Sequence, residues 1–344
     1  MPGPLGKRVS HARRVAAGNV DALADMTGLA TALDEAITQA VTGLRRAGYS
    51  WAEIAARLGV TVRRHSKIPH PQAVPCRRRT RRSGGASMGE LDGVRVLVTG
   101  GTSGLGRAMA EAVAAAGANV VITGRHGQRT VAAAREIGAS GGAATGIAAD
   151  VRQPSSVAAC ADAVFERLGG LDVLVNNAGL GMRTVNPRFL TSPQPFWEVT
   201  PEGFADLMLV NVTGYFLMAR AIVPRMVAAG RGKVVNIAIS HATMRRAGFV
   251  PYGPSRAATE SLSRIMAADC AGTGITVNML LPGGATATGM IPAGIPAGTR
   301  AALLDPSVMA EPIRWLCSPA SDGVHDERIV ATEFADWLRG RTAP

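Results

Sequence analysis

Short, almost wholly apolar runs alternate with helix-period stretches along the chain from Val94 onward, and few architectures accept that alternation. The runs are Val94–Val98, Asn119–Thr123, Ala143–Ala149, Asp172–Val175, Lys233–Ile239 and Thr276–Leu281. They lack the polar alternation of a half-exposed strand, so they read as parallel strands buried on both faces. Helical stretches lie between them, among them Leu105–Ala116, Ser155–Leu168 and Phe204–Ala228. Repeated βα units of this kind predict a doubly wound α/β parallel sheet.

The first strand runs directly into Thr99-Gly100-Gly101-Thr102-Ser103-Gly104-Leu105-Gly106, and a helix follows. Strand, glycine turn and helix together make the Rossmann dinucleotide-binding arrangement: the turn lets a pyrophosphate reach backbone N–H groups at the positive end of the helix. The second strand ends at Gly124-Arg125. A cofactor without a 2′-phosphate usually meets an acid there. Here the acid is missing and Arg125 offers a planar cation, which favours NADP(H) over NAD(H). Asp150 and Val151 close the third strand, placed to accept from an adenine amino group and to pack on its ring. Asn176-Asn177-Ala178-Gly179 follows the fourth, its small residues Ala178 and Gly179 letting backbone lie along the cofactor.

Charge divides the chain. The total is +12, but residues 1–87 hold 15 Lys and Arg against 5 Asp and Glu, whereas residues 88–344 hold 22 against 20. The basic balance therefore belongs to the first segment, and the rest gives no electrostatic reason to expect nucleic acid. Residues 1–61 read as helical, with Leu29, Leu33, Ile37, Val41 and Leu44 at helical spacing. Residues 48–61, with Ser50 and Glu53 as a capping box, resemble the first helix and turn of a helix-turn-helix. Pro69, Pro71 and Pro75 break the chain where a recognition helix belongs. Residues 62–87, rich in Arg, Pro, Ser and Gly, read as a basic disordered linker. A self-sufficient domain is expected over 88–344, and 1–87 is expected to be dispensable. No secretory signal is visible, and no apolar run is read as a membrane span. The scattered cysteines read as isolated thiols of a cytoplasmic protein, and the six histidines show no ligand spacing, so no metal site is expected.

By Tyr252 the residues resemble the short-chain dehydrogenase/reductase family. The shared elements, in order, are TGGTSGLG at 99–106, DV at 150–151, NNAG at 176–179, Asn211 in VNVTG, the VVNIAIS strand, YGPSR at 252–256 and PGG at 282–284. The resemblance implies an oxidoreductase that interconverts an alcohol and a ketone, and a homodimer or homotetramer. It implies that Tyr252 is the general acid/base, that Ser240 bonds the substrate oxygen, that Asn211 holds a water for proton relay, and that Pro282-Gly283-Gly284 meets the nicotinamide carboxamide. An unperturbed tyrosine titrates near ~10 and needs a neighbouring cation to work near neutrality. The family supplies a lysine four residues on; this chain has Arg256. Residues four apart share a helix face, so Arg256 is expected to carry that electrostatic role. Ser240 stands 12 positions before Tyr252, one short of the family spacing. The domain's only lysine, Lys233, is expected at the far end of its strand. The insertion 180–200, with Arg183, Phe196 and Trp197, is expected to border the substrate, the alternative being a surface flap held by aromatic packing, and His241 and Met244-Arg245-Arg246 are candidates to face the pocket or solvent. Residues 289–298 read as a lid. Arg256 and the shortened Ser240–Tyr252 spacing also motivate a second reading, a protein that binds NADP(H) with little turnover. A third is a DNA-binding regulator with a dehydrogenase-like sensor.

Overall fold

A computed structural model describes residues 89–139 and 141–342. Residues 1–61, expected to be helical with a helix-turn-helix-like stretch, and the expected linker 62–87 lie outside the described residues.

Seven parallel strands form one sheet in the order β3-β2-β1-β4-β5-β6-β7. They are β1 Arg95–Val98, β2 Asn119–Gly124, β3 Ala143–Ala148, β4 Val173–Asn176, β5 Gly232–Ile237, β6 Ile275–Leu281 and β7 Arg328–Val330. Each expected strand is present within one or two residues of its expected bounds. β7 was not anticipated: Arg328-Ile329-Val330 is too short to show a period, and pairing with β6 is what makes it a strand.

Side-chain alternation builds two cores, one on each face of the sheet. Val96, Val98, Val120 and Ile122 face one side with Met109, Val113, Ile137, Ile313 and Phe334. Leu97, Val121 and Leu174 face the other with Val157, Val164, Leu217, Met218 and Ile222. The first core is covered by α1 (Gly104–Ala115) and α2 (Gly127–Ala139), with helices near the carboxyl end of the chain. The second is covered by α3 (Pro154–Leu168), α5 (Gly214–Ala228) and α7 (Tyr252–Cys270). α3 has readable ends: Pro154 opens it, and Gly169 closes it in the left-handed conformation at φ 66°.

One expected helix, Phe204–Ala228, is a composite. α4 (Pro201–Met208) begins one turn earlier, with Thr200 accepting from the Gly203 N–H. A π-helical turn, Leu209–Thr213, then joins it to α5. The whole run Pro201–Ala228 is long and apolar enough to cross a membrane by length and composition. That qualifies the sequence reading. Here, however, Leu207, Val210, Leu217, Met218, Ile222 and Met226 are buried in the protein.

The chain winds outward from β1 to β3 and then returns to β4 beside β1. This reversal opens a crevice at the carboxyl ends of β1 and β4, where open α/β sheets place their ligands.

Candidate active site

A cavity of about 830 Å³ occupies that crevice. It is lined by Gly100, Thr102, Ser103, Gly104, Leu105, Gly106, Arg125, Asp150, Val151, Asn177, Ala178, Gly179, Ser240, Tyr252, Arg256, Pro282, Gly283 and Gly284. Residues from six strand ends thus meet in one place. Asn211 alone among the expected catalytic and cofactor-binding residues does not line it.

The glycine turn is fixed from β4. Asn177 Nδ2 donates to the carbonyls of Thr99 and Gly100 at 2.9 and 3.2 Å. Thr99 Oγ1 in turn accepts from the N–H groups of Asn177 and Ala178. Gly106 makes this closeness possible: a Cβ there would lie 2.3 Å from Asn177 Nδ2 and 2.4 Å from the Gly100 carbonyl. At the head of α1 the Ser103 side chain makes no capping bond, and no acid stands in the first turn. The first N–H groups of the helix are left for an anion from outside the helix, and the turn has the room and polarity a pyrophosphate needs.

At the rim, Arg125, His126 and Arg129 are exposed and line the cavity beyond β2. His126 and Arg129 were not singled out from sequence, although they continue the basic end of β2. Asp150 is less free than expected. Arg152 grips its carboxylate through Nε and Nη2 and also donates its backbone N–H. The Arg152 side-chain bonds, against the opposing effect of burial, hold Asp150 below the usual carboxylate range. With the second Nε contact at 3.1 Å, each oxygen accepts two bonds from Arg152, so the carboxylate is occupied by its neighbour.

At the reactive end, Tyr252 opens α7 and Arg256 lies one turn further along it. The Arg256 guanidinium carbon stands 5.4 Å from the centre of the Tyr252 ring and 5.6 Å from that of Tyr215. Arg256 is 3 % exposed. Its Nη1 donates to Tyr215 Oη at 2.9 Å and to the Ile237 carbonyl at 3.2 Å. Its Nε is buried without a protein partner. Burial disfavours the cation, but the two phenols beside it outweigh that and raise its pKa further, so it stays charged. Gly179 closes on the same group: a Cβ there would lie 2.3 Å from Arg256 Nη2.

Ser240 lines the cavity and caps the short α6 (His241–Met244). Its Oγ accepts from the Thr243 N–H at 3.2 Å and shares a 2.8 Å bond with Thr243 Oγ1. Thr243, also on the cavity wall, carried no sequence signal. Asn211 sits in the π-helical turn, fully buried. Its Oδ1 accepts from the Leu180 N–H, and its Nδ2 donates to the Leu180 carbonyl and to Ser255 Oγ. Both amide hydrogens are therefore committed, and its backbone carbonyl already accepts from Thr259 Oγ1.

Several expectations about the surroundings are corrected. Phe196 and Trp197 are 66 % and 72 % exposed, packing edge-to-face on each other and not on the cavity. The insertion instead contributes Met182, Arg183, Phe189 and Leu190 to the lining. These residues reach back over the cavity because Met182 and Phe189 pack on Phe249 in a small core of their own. His241 turns to Glu260 at 2.8 Å, and Arg246, lying over the Phe249 ring, is the member of its group that lines the cavity. Lys233, by contrast, lies where expected, at the opposite end of β5, bonded to the Ser318 carbonyl, Ser321 and Asp322.

Comparison with known proteins agrees with this geometry. The short chain dehydrogenase family matches residues 95–293. D-threitol dehydrogenase of Mycolicibacterium smegmatis is 35% identical over 192 residues, 56% of this chain and 70% of that protein. A metagenomic short-chain oxidoreductase solved in complex with NADP is 28% identical, with a TM-score of 0.59 over 70% of this chain and 97% of that one. The 3-ketoacyl-(acyl-carrier-protein) reductase from Brucella melitensis, complexed with NADH, is 31% identical, with a TM-score of 0.62 over the same shares. Sheet order, glycine turn and the placement of Tyr252 lead to the same result as these matches: the chain belongs to the short chain dehydrogenase family.

Proposed function

We propose that this chain interconverts a carbonyl and an alcohol with NADP(H), using Tyr252 as general acid/base and Arg256 as the cation beside it. The observation that carries the reading is the buried guanidinium held 5.4 Å over the Tyr252 ring, in the same cavity as the uncapped helix and Arg125. The turn around Gly100–Gly106 suits a pyrophosphate, Arg125 a 2′-phosphate, and the unpartnered Arg256 Nε a ribose hydroxyl. Bound nicotinamide would supply or accept the hydride. Tyr252 then moves the proton at the substrate oxygen, and the Ser240 hydroxyl orients that oxygen. The charge left on the phenol as its proton departs is stabilised by Arg256. Met182, Phe189, Leu190 and Phe249 exclude water from that end, and Arg183 and Arg246 edge it. Asn211 acts from behind the wall, fixing Leu180 and, through Ser255, the first turn of α7.

The test is the purified chain on a panel of alcohols and ketones, with NADP(H) and NAD(H) in parallel, followed by absorbance of the reduced cofactor. Arg256→Ala should lower kcat about 10²-fold. Arg256→Lys should stay active with an altered pH profile. If neither variant changes the rate, Arg256 has no such role. A second reading, binding with little turnover, is favoured by three bonds: Ser240 is engaged by Thr243, and Arg256 Nη1 by Tyr215 and Ile237. Saturable NADPH binding without single-turnover hydride transfer to any carbonyl would select it.

A further inference from the structure

The Arg256 guanidinium is a buried cation, and no carboxylate among the described residues forms an ion pair with it. What fixes it is a second tyrosine. Tyr215 sits in the first turn of α5, 1 % exposed and outside the cavity lining. Its hydroxyl accepts from Arg256 Nη1 at 2.9 Å and donates to the Ile237 carbonyl at 3.3 Å. The same carbonyl accepts from Arg256 Nη1 at 3.2 Å, so three groups close a small triangle at the end of β5. Gly179 leaves Nη2 its room: a Cβ there would lie 2.3 Å from it.

An ammonium is a compact point charge and needs no such frame. A guanidinium is a planar fork, and a small rotation moves its charge away from the neighbouring ring. We infer that Tyr215 is the positioning residue for Arg256, orienting the guanidinium so that an arginine can stand where the family uses lysine; the inference rests on the reading of Tyr252 and Arg256 given above. The chemistry of the anchor matters. A carboxylate in its place would neutralise the cation. A phenol holds one nitrogen by a neutral bond and leaves the positive charge for the cofactor and for Tyr252. Burial also pushes the Tyr215 hydroxyl above the ordinary tyrosine value, against the effect of Arg256, which keeps it an uncharged donor to Ile237.

The experiment compares the full chain with Y215F, R256K and the Y215F/R256K double variant, each checked for thermal stability. Three readouts are taken: kcat against pH in alcohol oxidation, KM, and NADPH affinity by fluorescence titration. In the arginine chain, Tyr215→Phe should lower kcat about tenfold and shift the rate profile toward higher pH, with KM changed by less than about twofold. In the lysine background the same substitution should cost far less, so that the double variant is more active than Y215F alone. Equal losses in both backgrounds, or a lower Tm with an unmoved pH profile, would overturn the inference. If the parent chain turns over no substrate, the catalytic reading fails by itself and the titration decides the inference. Y215F should then weaken NADPH binding about fivefold with Arg256 and much less with Lys at that position. Equal affinities would overturn it.

Discussion

Gly179 shows how narrowly the reactive end is set. Any side chain there must displace the Arg256 guanidinium, because the added carbon would lie 2.3 Å from Nη2 and 3.1 Å from Asn211 Oδ1. The preceding backbone is tied down, the Asn177 and Ala178 N–H groups donating to Thr99 Oγ1. Gly179→Ala should therefore reduce kcat about 10²-fold, since an ångström of misplacement is enough for such a loss. The fold should survive, as the glycine lies at the cavity and not in either core. Near-parental circular dichroism with lost turnover is the expected pair of measurements; full activity would show that the guanidinium can stand elsewhere.

At the scale of elements, the π-helical turn Leu209–Thr213 does what a regular helix would not. The widened turn brings Asn211 to a position where its amide binds both backbone groups of Leu180, on the loop after β4. It also ties α7 to the composite helix through Ser255 and Thr259. Such turns recur at functional sites. Asn211→Ala leaves the Leu180 N–H and carbonyl without side-chain partners, at a cost of about 2–3 kcal/mol. For a domain of this size that is a fall in Tm of roughly 4–12 °C. Calorimetry checks it, and an unchanged Tm would mean that the loop finds other partners. The sequence reading takes 204–228 as one helix for this reason: periodicity reports that one face is apolar, and a single widened turn barely disturbs that pattern.

For the whole molecule, the ends of β1 and β4 opposite the cavity are clamped by Arg95 and Asp172. Arg95 donates through Nε and Nη2 at 2.8 Å each, and its backbone N–H adds a third bond at 3.0 Å. Burial raises the Asp172 pKa, but the Arg95 bonds outweigh it and hold the carboxyl below its ordinary value. A carboxyl with a lowered folded pKa stabilises the protein above its unfolded value, near ~3.9, and loses that contribution as pH falls through the folded value. Asp172→Asn should cost about 1–2 kcal/mol at neutral pH after allowance for partial exposure. The gap from the parent should shrink as pH drops below about 4. Denaturant midpoints measured from pH 7 down to pH 3 test this, and a constant gap would assign the effect to packing.

Much of this was legible in one dimension. Buried parallel strands must be short and apolar on both faces, so their run-by-run alternation with helices fixed the fold class. A glycine turn between strand and helix marked the phosphate end, and the absence of an acid after β2 marked Arg125. These signals are local: each depends on residues adjacent in the chain. What tertiary structure decided is which distant groups meet. Tyr215, Gly179 and Ile237 come from three separate elements, and nothing in their sequence neighbourhoods points to Arg256. The exposure of Phe196 and Trp197, the capture of Asp150 by Arg152 and the pairing that makes β7 a strand are of the same kind. A hydrogen bond or a close contact is set by distance in space, and sequence alone records that distance only where the chain is too short to separate the partners.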